Sequence, residues 1–188
     1  SHVSLIGGGA TPKPGEVTLA HRGVLFLDEF PEFDRRVIEA LRQPLEDSVV
    51  HVSRAKGTAH FPADFILVAA MNPCPCGNKG MREKMCSCTP GAVQQYERKM
   101  SGPIIDRIDM WLEVPHIDYE KLSDTTLKGE ASPAVRKRVA EARTRARDRF
   151  KAAHLPHLTN SAMGVRELEQ FAVLTPALSK TLNEAARK

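Results

Sequence analysis

The segment Gly23–Glu29, which reads GVLFLDE, decides how the rest of this sequence is interpreted. Four apolar residues in succession, Val24–Leu27, are typical of a parallel strand that is buried on both faces. Asp28 and Glu29 follow at the point where such a strand leaves the sheet, which is the edge where open α/β sheets bind ligands. Carboxylates at that edge can serve a nucleoside triphosphate, one by holding Mg²⁺ and the other by activating water. The same residues also fit an ordinary buried strand whose acidic end makes a turn.

A nucleotide site also needs a loop that binds the phosphates. Such a loop follows the pattern G-x-x-x-x-G-K-[ST], because its backbone N–H groups surround the phosphates and its lysine neutralises them. No glycine of this chain is followed by lysine, and Gly7–Gly9 lacks both the lysine and the hydroxyl. We therefore expect either the downstream part of an ATPase, inactive alone, or an ordinary strand in a protein that is not an ATPase.

A helix and a β-hairpin are predicted after the acidic pair. Asp34 can cap a helix that runs to about Gln43, where Pro44 should end or kink it. Residues 49–54 and 58–61 alternate in polarity around a short turn, which predicts a hairpin with Lys56 at its tip. Lys56 and the nearby Arg54 can touch a nucleic-acid backbone, although an exposed charged hairpin tip is equally ordinary.

A second apolar run, Phe65–Met71, predicts another buried strand, which ends at Asn72. Asn72 would then lie beside Asp28 and Glu29 at one sheet edge, where its amide can hold the attacking water or the γ-phosphate. Its alternative role is a turn made with the proline that follows.

The remaining elements predict an α/β part followed by a helical part. Ile108–Val114 is a candidate third strand, whereas the residues from Tyr119 onward have helical spacing and loop composition. The stretch before Leu19 is rich in glycine and proline and is expected to be mostly loop. We place a boundary near Leu122, which divides the chain into domains of residues 1–122 and 123–188.

All four cysteines of the chain fall within fifteen residues. Clustering of this kind, in a chain with cytosolic character, favours a tetrahedral Zn²⁺ thiolate site over disulfides. The one-residue spacing is tighter than the usual C-x₂-C, so reduced thiols without metal, an iron–sulfur cluster and disulfides remain as alternatives. The candidate ligands are Cys74, Cys76, Cys86 and Cys88.

The charge of the chain is concentrated in one segment. Residues 133–151 contain eight basic and two acidic side chains, whereas the whole chain has a net charge of only +4. This pattern fits a solvated helix face or a contact with a neighbouring subunit better than a specific DNA reader. The longest apolar run has seven residues, compared with about 20 for a membrane-spanning helix, so we expect no membrane association and a cytoplasmic location.

Five stretches together resemble the ComM (YifB) family of magnesium-chelatase-like AAA+ ATPases. They are LIGGG at residues 5–9, PKPGEVTLAHRGVLFLDEFPEF at 12–33, LRQPLED at 41–47, AAMNPCPCG at 69–77 and SGPIIDRID at 101–109. The resemblance covers roughly residues 1–115. It implies a partial AAA+ P-loop core, with a parallel sheet, helices and a hairpin insert, followed by a small, incomplete helical lid.

The resemblance also implies roles for individual residues. Asp28 corresponds to the Walker B ligand of Mg²⁺, Glu29 to the residue that activates water and Asn72 to sensor 1. Arg107 corresponds to the arginine finger, which neutralises charge on the transferred phosphoryl group across a subunit boundary. The residue pattern alone equally allows a local ion pair of Arg107 with Asp106 or Asp109. The Walker A loop and the sensor 2 arginine of the family are absent from this sequence.

The implied protein is a homo-oligomeric ring, expected to be a hexamer, that couples ATP hydrolysis to movement on single-stranded or branched DNA during natural transformation. ATP and Mg²⁺ are the implied cofactors. Two alternatives stay open, a chelatase-type motor subunit that remodels a protein partner and a noncatalytic, zinc-stabilised interaction domain.

Overall fold

The structure is a computed structural model. It describes residues 2–9, 12–54, 57–81, 84–115, 129–155 and 159–187. For residues 54 and 57 it describes only the backbone. The chain divides into two compact units, Ser1–His116 and Ile117–Lys188. The first unit contains, in chain order, α1 (His2–Ile6), β1 (Gly7–Gly8), β2 (Lys13–Pro14), α2 (Glu16–Leu19), β3 (Val24–Leu27), a 3₁₀ turn (Phe30–Glu32), α3 (Arg35–Ala40), α4 (Arg42–Asp47), β4 (Val49–Arg54), β5 (Gly57–Pro62), β6 (Ile66–Ala69), α5 (Pro90–Glu97) and α6 (Gly102–Ile105). The second contains α7 (Ser132–Ala152), a 3₁₀ turn (Asn160–Ala162), α8 (Val165–Phe171) and α9 (Pro176–Ala186).

Two strands form the parallel part of the first unit. β3 and β6 pair in parallel from Val24 opposite Ile66 to Leu27 opposite Ala69. An ion pair of 2.7 Å joins Arg22 to Asp64 just before the two strands begin. The Asp64 N–H also donates to His21 Nδ1, so both strand starts are held together and the register is set from that end.

The hairpin predicted from residues 49–61 is confirmed. β4 and β5 pair antiparallel from Val49 opposite Pro62 to Arg54 opposite Gly57. Val50 and Val52 point into the core, whereas His51 and His60 contact each other on the outer face with ring centroids 4.5 Å apart. The tip, where Lys56 was predicted, lies outside the described residues.

The core of the first unit collects side chains from short elements that are far apart in sequence. Helix α2, the pair α3 and α4, the hairpin and α6 each contribute residues with no or almost no exposed surface. Burial of one such aliphatic side chain contributes about 1.5–3 kcal/mol, which is why elements of four to six residues are stable here. The fully buried members are Val17, Ile38, Leu41, Val50 and Ile104.

The prediction that β3 is buried on both faces is wrong. Leu25 and Leu27 face the core, whereas Val24 and Phe26 are more than half exposed. The partner strand β6, predicted as buried, is also largely exposed, with Ile66 on the same open face as Val24. Among the described residues of this unit, the core covers only one face of the pair.

The prediction of a third strand at Ile108–Val114 is also wrong. These residues have no regular secondary structure, and Leu112 and Val114 are both 85% exposed. A strand needs a neighbour to satisfy its backbone groups, and no described strand pairs with β6 on the side away from β3. Residues 108–114 therefore do not pair with the open edge of β6, and they leave the backbone groups of that edge without a strand partner among the described residues.

Two local predictions in the first unit need correction. The stretch before Leu19 contains helices and a two-residue strand pair instead of only loop, because Leu5 and Ile6 are buried in the core.

Asp34 does cap α3, with its carboxylate accepting from the Arg36 N–H at 2.8 Å. The helix then breaks near Leu41, and Pro44 lies inside the first turn of α4, where a missing N–H has no cost.

The second unit consists of helices and turns in its described part. α7 spans 21 residues, and most of its surface is exposed, including the basic side chains. Phe150 near its end is fully buried and packs edge-to-face against Phe171 of α8, with centroids 5.4 Å apart. The Arg149 guanidinium lies over the Phe150 ring, so the arginine covers part of this small cluster.

Candidate functional site

The parallel pair brings three of the predicted site residues to one edge. The backbone ladder continues past β3 and β6, because the Ala70 N–H donates to Leu27 and the Phe30 N–H donates to Ala70, both at 2.9 Å. Asp28 and Glu29 leave the first strand and Asn72 leaves the second at this carboxyl edge. All three residues are exposed. The arrangement offers two carboxylates and one amide to a ligand.

Glu29 has an unusual backbone conformation. Its φ of 50° and ψ of 41° are left-handed, a region that costs a residue with a side chain of order 1 kcal/mol or more. Its N–H donates to Asp28 Oδ1 at 2.8 Å, and its carbonyl accepts from the Glu32 N–H at 2.7 Å. The tight turn sends Phe30 into the core, where it is 2% exposed, while both carboxylates stay at the surface.

A buried tyrosine lies under this edge. Tyr96 of α5 is 4% exposed, and burial raises the pKa of its hydroxyl, as do the nearby carboxylates of Glu32 and Glu29. The backbone of Asn72 donates a hydrogen bond to the Tyr96 oxygen, which acts in the opposite direction on that pKa. Tyr96 therefore connects the Asn72 backbone to α5. Sequence reasoning missed it, although it is one of only two tyrosines in the chain.

One lysine places positive charge beside the acidic residues. Lys99 Nζ lies 2.9 Å from Glu32 Oε2 and 5.8 Å from the centre of the Tyr96 ring. The sequence offered no signal for this contact, because the two partners are 67 residues apart.

The four cysteines converge on one point. The Sγ atom of Cys74 lies 3.5 Å from that of Cys76 and 3.7 Å from that of Cys86, and Cys76 and Cys86 are 3.6 Å apart. With Cys88, all four sulfurs lie within 4.8 Å of one another. None of them is in a disulfide, and Cys74 is fully buried. Such a group of thiols can hold a metal ion.

The protein environment divides the pKa values of these thiols. Backbone N–H groups of Asn78 and Ser87 donate to Cys76 and lower the pKa of that thiol to about 5. Burial, together with the hydrogen bonds of the other cysteines, raises the pKa of Cys88 to about 12. The N–H donors to Cys76 thus favour its thiolate form, which is the form in which a cysteine binds a metal.

Arg107 forms an ion pair, but with neither of the partners that were considered from the sequence. Its guanidinium contacts Glu46 at the end of α4, not Asp106 or Asp109. The hydrogen bond from Arg107 lowers the pKa of Glu46. Arg54 and Lys56, the predicted DNA contacts, have side chains outside the described part of the molecule.

No helix in the described part of the chain is both long enough and apolar enough to cross a membrane.

Comparison with known proteins identifies the family. Residues 1–122 match the family described as magnesium chelatase, subunit ChlI, and residues 129–188 match that of the ChlI C-terminal region. The YifB proteins of Salmonella typhimurium and Escherichia coli are 43% and 44% identical over 175 residues, 93% of this chain and 33% of each relative. The competence protein ComM of Haemophilus influenzae is 48% identical over 140 residues, 74% of this chain and 27% of that protein.

The chain thus spans about a third of the length of the curated relatives that it matches. The resemblance stated from the five sequence stretches is confirmed. With matches to both ChlI regions and to YifB and ComM over most of its length, the chain belongs to the magnesium chelatase ChlI family, in which it is similar to the YifB and ComM proteins.

Proposed function

We propose that this chain carries the Walker B and sensor 1 half of the hydrolysis site of a AAA+ ATPase. The observation that supports this most is the meeting of Asp28, Glu29 and Asn72 at the carboxyl edge of β3 and β6. Hydrolysis of a phosphoanhydride needs a ligand for Mg²⁺, a group that orients and deprotonates water, and a polar group near the γ-phosphate. These three side chains match those needs in type and place.

Asp28 is the residue that would hold Mg²⁺, whose preferred ligands are oxygen atoms and whose charge neutralises the phosphates. Glu29 then orients the attacking water and takes its proton. The left-handed turn supports this division, because within it the Glu29 N–H holds the Asp28 side chain in place. Asn72 donates or accepts hydrogen bonds to the water or the γ-phosphate.

Arg107 is proposed as an arginine finger that acts on the site of a neighbouring subunit. Its ion pair with Glu46 holds the guanidinium at the end of α4 before any such contact forms, with 36% of the Arg107 side chain exposed. A finger acting in trans requires a ring, and we propose a homo-oligomer that is a hexamer.

We propose DNA, single-stranded or branched, as the substrate that the ring moves. The name of one relative, a competence protein, supports this assignment. Arg54 and Lys56 near the hairpin tip are the proposed contacts to the DNA backbone, since lysine and arginine neutralise phosphates without regard to sequence. The proposed place of action is the cytoplasm, and the proposed cofactors are ATP, Mg²⁺ and one structural Zn²⁺.

A second candidate is a motor subunit that remodels a protein partner. The description of the matching family as a magnesium chelatase subunit favours it. The two candidates differ in what stimulates hydrolysis. If turnover by the full-length gene product rises with branched DNA, and Lys56→Ala lowers that rise while Lys13→Ala does not, DNA is the substrate. Stimulation that only a protein partner produces contradicts it. A noncatalytic domain would show no turnover with either.

The test of the ATPase assignment is Glu29→Gln in the full-length gene product. The amide cannot take the proton of water, so turnover should fall by at least roughly 10²-fold while nucleotide affinity stays unchanged. Glu16→Gln is the matched control, because Glu16 is an exposed glutamate on α2 and not one of the three residues at the edge. Unchanged turnover in Glu29→Gln would remove Glu29 from the proposed role.

A further inference from the structure

The sulfur positions in the cysteine cluster match those of a tetrahedral metal site. A Zn²⁺ ion bonded to four thiolates at about 2.3 Å places the sulfurs about 3.8 Å apart. The Sγ separations among Cys74, Cys76 and Cys86 are 3.5, 3.6 and 3.7 Å, and the fourth sulfur lies within 4.8 Å of the others. A disulfide would bring two sulfurs to about 2.05 Å, which none of these pairs approaches. The ligands are thus already arranged around a common centre.

In its described residues, the loop that carries the cysteines buries little apolar surface. Met85 is 94% exposed, and of the four cysteines only Cys74 is fully buried. The backbone folds around Cys74 instead, since its sulfur accepts from the Lys79 N–H at 3.3 Å and its carbonyl accepts from Gly77 at 3.0 Å. Backbone N–H donors of this kind stabilise a thiolate ligand, and a metal supplies the binding energy that a small core cannot.

The same loop lies directly against Asn72. The Asn72 side-chain oxygen is 4.0 Å from the position that a Cβ on Gly77 would occupy, and Asn72 precedes Cys74 by only two residues. The other side of the loop is tied to α5, because Lys79 Nζ pairs with Glu97 at 3.1 Å. Helix α5 in turn carries Tyr96, which the Asn72 backbone contacts. Asn72 is thus exposed at the sheet edge but has the cysteine loop on one side and α5 on the other.

We propose that Cys74, Cys76, Cys86 and Cys88 bind one Zn²⁺ and that the occupied site holds Asn72 in its position at the sheet edge. The metal site stands on the cysteine geometry alone. The role of Asn72 as the group that it positions rests on the proposed ATPase function. Zn²⁺ would act here as a structural ion, with a closed set of four protein ligands and no open position for a substrate.

The first experiment measures the metal itself in the full-length gene product, purified without chelator or added metal. We expect one equivalent of zinc per chain by elemental analysis, and the absorption bands of tetrahedral thiolate-bound cobalt after exchange with Co²⁺. Cys88→Ser should lose the metal, whereas Ser87→Ala, the residue between two of the ligands, should keep it. Less than a tenth of an equivalent of zinc with four free thiols, or iron in its place, would overturn the site.

The second experiment separates the metal site from its effect on Asn72. Wild-type protein stripped of zinc by a chelator and then reconstituted avoids any variant that fails to fold. Hydrogen exchange at residues 70–79 should slow on reconstitution, and the exchange at β4 and β5 should stay the same. Zinc that binds without changing exchange at 70–73 would disprove the coupling and leave the metal site.

Turnover gives the functional readout. A displacement of about 1 Å in a positioned group can lower a rate on the order of 10²-fold, so zinc removal should lower turnover to that degree with nucleotide affinity nearly unchanged. Ser87→Ala should have wild-type turnover. If removal of zinc changes neither hydrogen exchange at residues 70–73 nor turnover, the positioning role is overturned. If Glu29→Gln also leaves turnover unchanged, the ATPase assignment has failed independently of the metal.

Discussion

At the scale of single residues, Glu29 departs from local backbone preference at the position where we propose a catalytic role. Most residues with a side chain avoid positive φ, and only four non-glycine residues in the described chain have it. At Glu29 the conformation is imposed by its surroundings, since Phe30 is buried immediately afterwards and its N–H completes the ladder with Ala70. The free energy gained by burying Phe30 therefore offsets the conformational strain at Glu29.

This strain predicts an unusual order of stabilities. Glycine adopts positive φ without cost, so Glu29→Gly should be about 1 kcal/mol more stable toward unfolding than Glu29→Ala. Denaturant unfolding of the two variants measures the difference. At Glu32, whose φ is not positive, the same pair should show alanine as the more stable variant. Equal stabilities of Glu29→Gly and Glu29→Ala would mean that the left-handed turn is absent in solution.

Arg107 and Glu46 allow the finger role to be separated from the ion pair. Arg107→Ala in the full-length gene product should lower turnover by roughly 10³-fold or more with little change in nucleotide binding, because the charge that a finger neutralises develops in the transition state. Glu46→Ala removes the same ion pair and should keep turnover near the wild-type value. Similar losses in both variants would assign Arg107 to structure alone.

Mixing subunits tests whether Arg107 acts in trans. Rings assembled from Arg107→Ala and Glu29→Gln subunits should regain part of the turnover, since some interfaces then combine an unaltered Glu29 with an unaltered Arg107. Independent loss at every mixing ratio would contradict the finger.

The Arg107–Glu46 pair also predicts a pH dependence. Arg107 lowers the pKa of Glu46 in the folded protein below the ordinary value of 4.5, so the pair stabilises the fold above pH 4.5, and this stabilisation is lost as the pH falls through the lowered value. Wild type should therefore exceed Glu46→Gln in unfolding midpoint at neutral pH and lose that advantage in acid. Both side chains are 36% exposed, so salt should weaken the effect. A difference that persists unchanged in acid would contradict this origin.

At the scale of elements, β3 and β6 form a sheet with one covered face. Leu25 is 8% exposed and Phe26, the next residue, is 59% exposed. Parallel strands are usually covered on both faces, and a sequence of four apolar residues reflects that. The four apolar residues of β3 therefore predict burial of both faces of the strand. The described residues of this unit bury only one of them.

Alanine substitution of these neighbours tests the difference between the faces. In the 188-residue chain, Leu25→Ala should cost about 2–5 kcal/mol of unfolding free energy, the range for a buried leucine. Phe26→Ala should cost much less, because more than half of its surface is already in water. A loss of about 3 kcal/mol or more at Phe26 would show that another surface covers it in solution. Denaturant unfolding at several protein concentrations would then tell whether that surface is a second copy.

At the scale of the whole molecule, the chain contains the proposed hydrolysis edge but no phosphate-binding pattern. No glycine is followed by lysine, so nothing in the sequence can surround the β-phosphate in the P-loop manner. We expect the 188-residue chain alone neither to bind ATP tightly nor to hydrolyse it. Calorimetric titration with Mg²⁺ and ATP measures this. Micromolar affinity that Asp28→Asn abolishes would contradict the expectation.

Local sequence determined several features of this protein because their causes are local. Alternating polarity around a short turn specifies the hairpin, and the side chain of Asp34 specifies the start of α3. The spacing of the cysteines already indicated that they share one site, since a short loop keeps them close. The five stretches that resemble known proteins were enough to identify the family.

Tertiary structure alone decided the features that depend on distant partners. Glu46 became the partner of Arg107 across 61 residues, and Tyr96 came to lie beneath Asn72, because helices packed on the core brought them there. The burial of Phe26 depends on whether another element packs on the outer face of β3. A strand at Ile108–Val114 would likewise need a neighbouring strand to pair with. The sequence shows which apolar side chains would stabilise the protein if they were buried, but only the packing of distant elements determines which of them are buried.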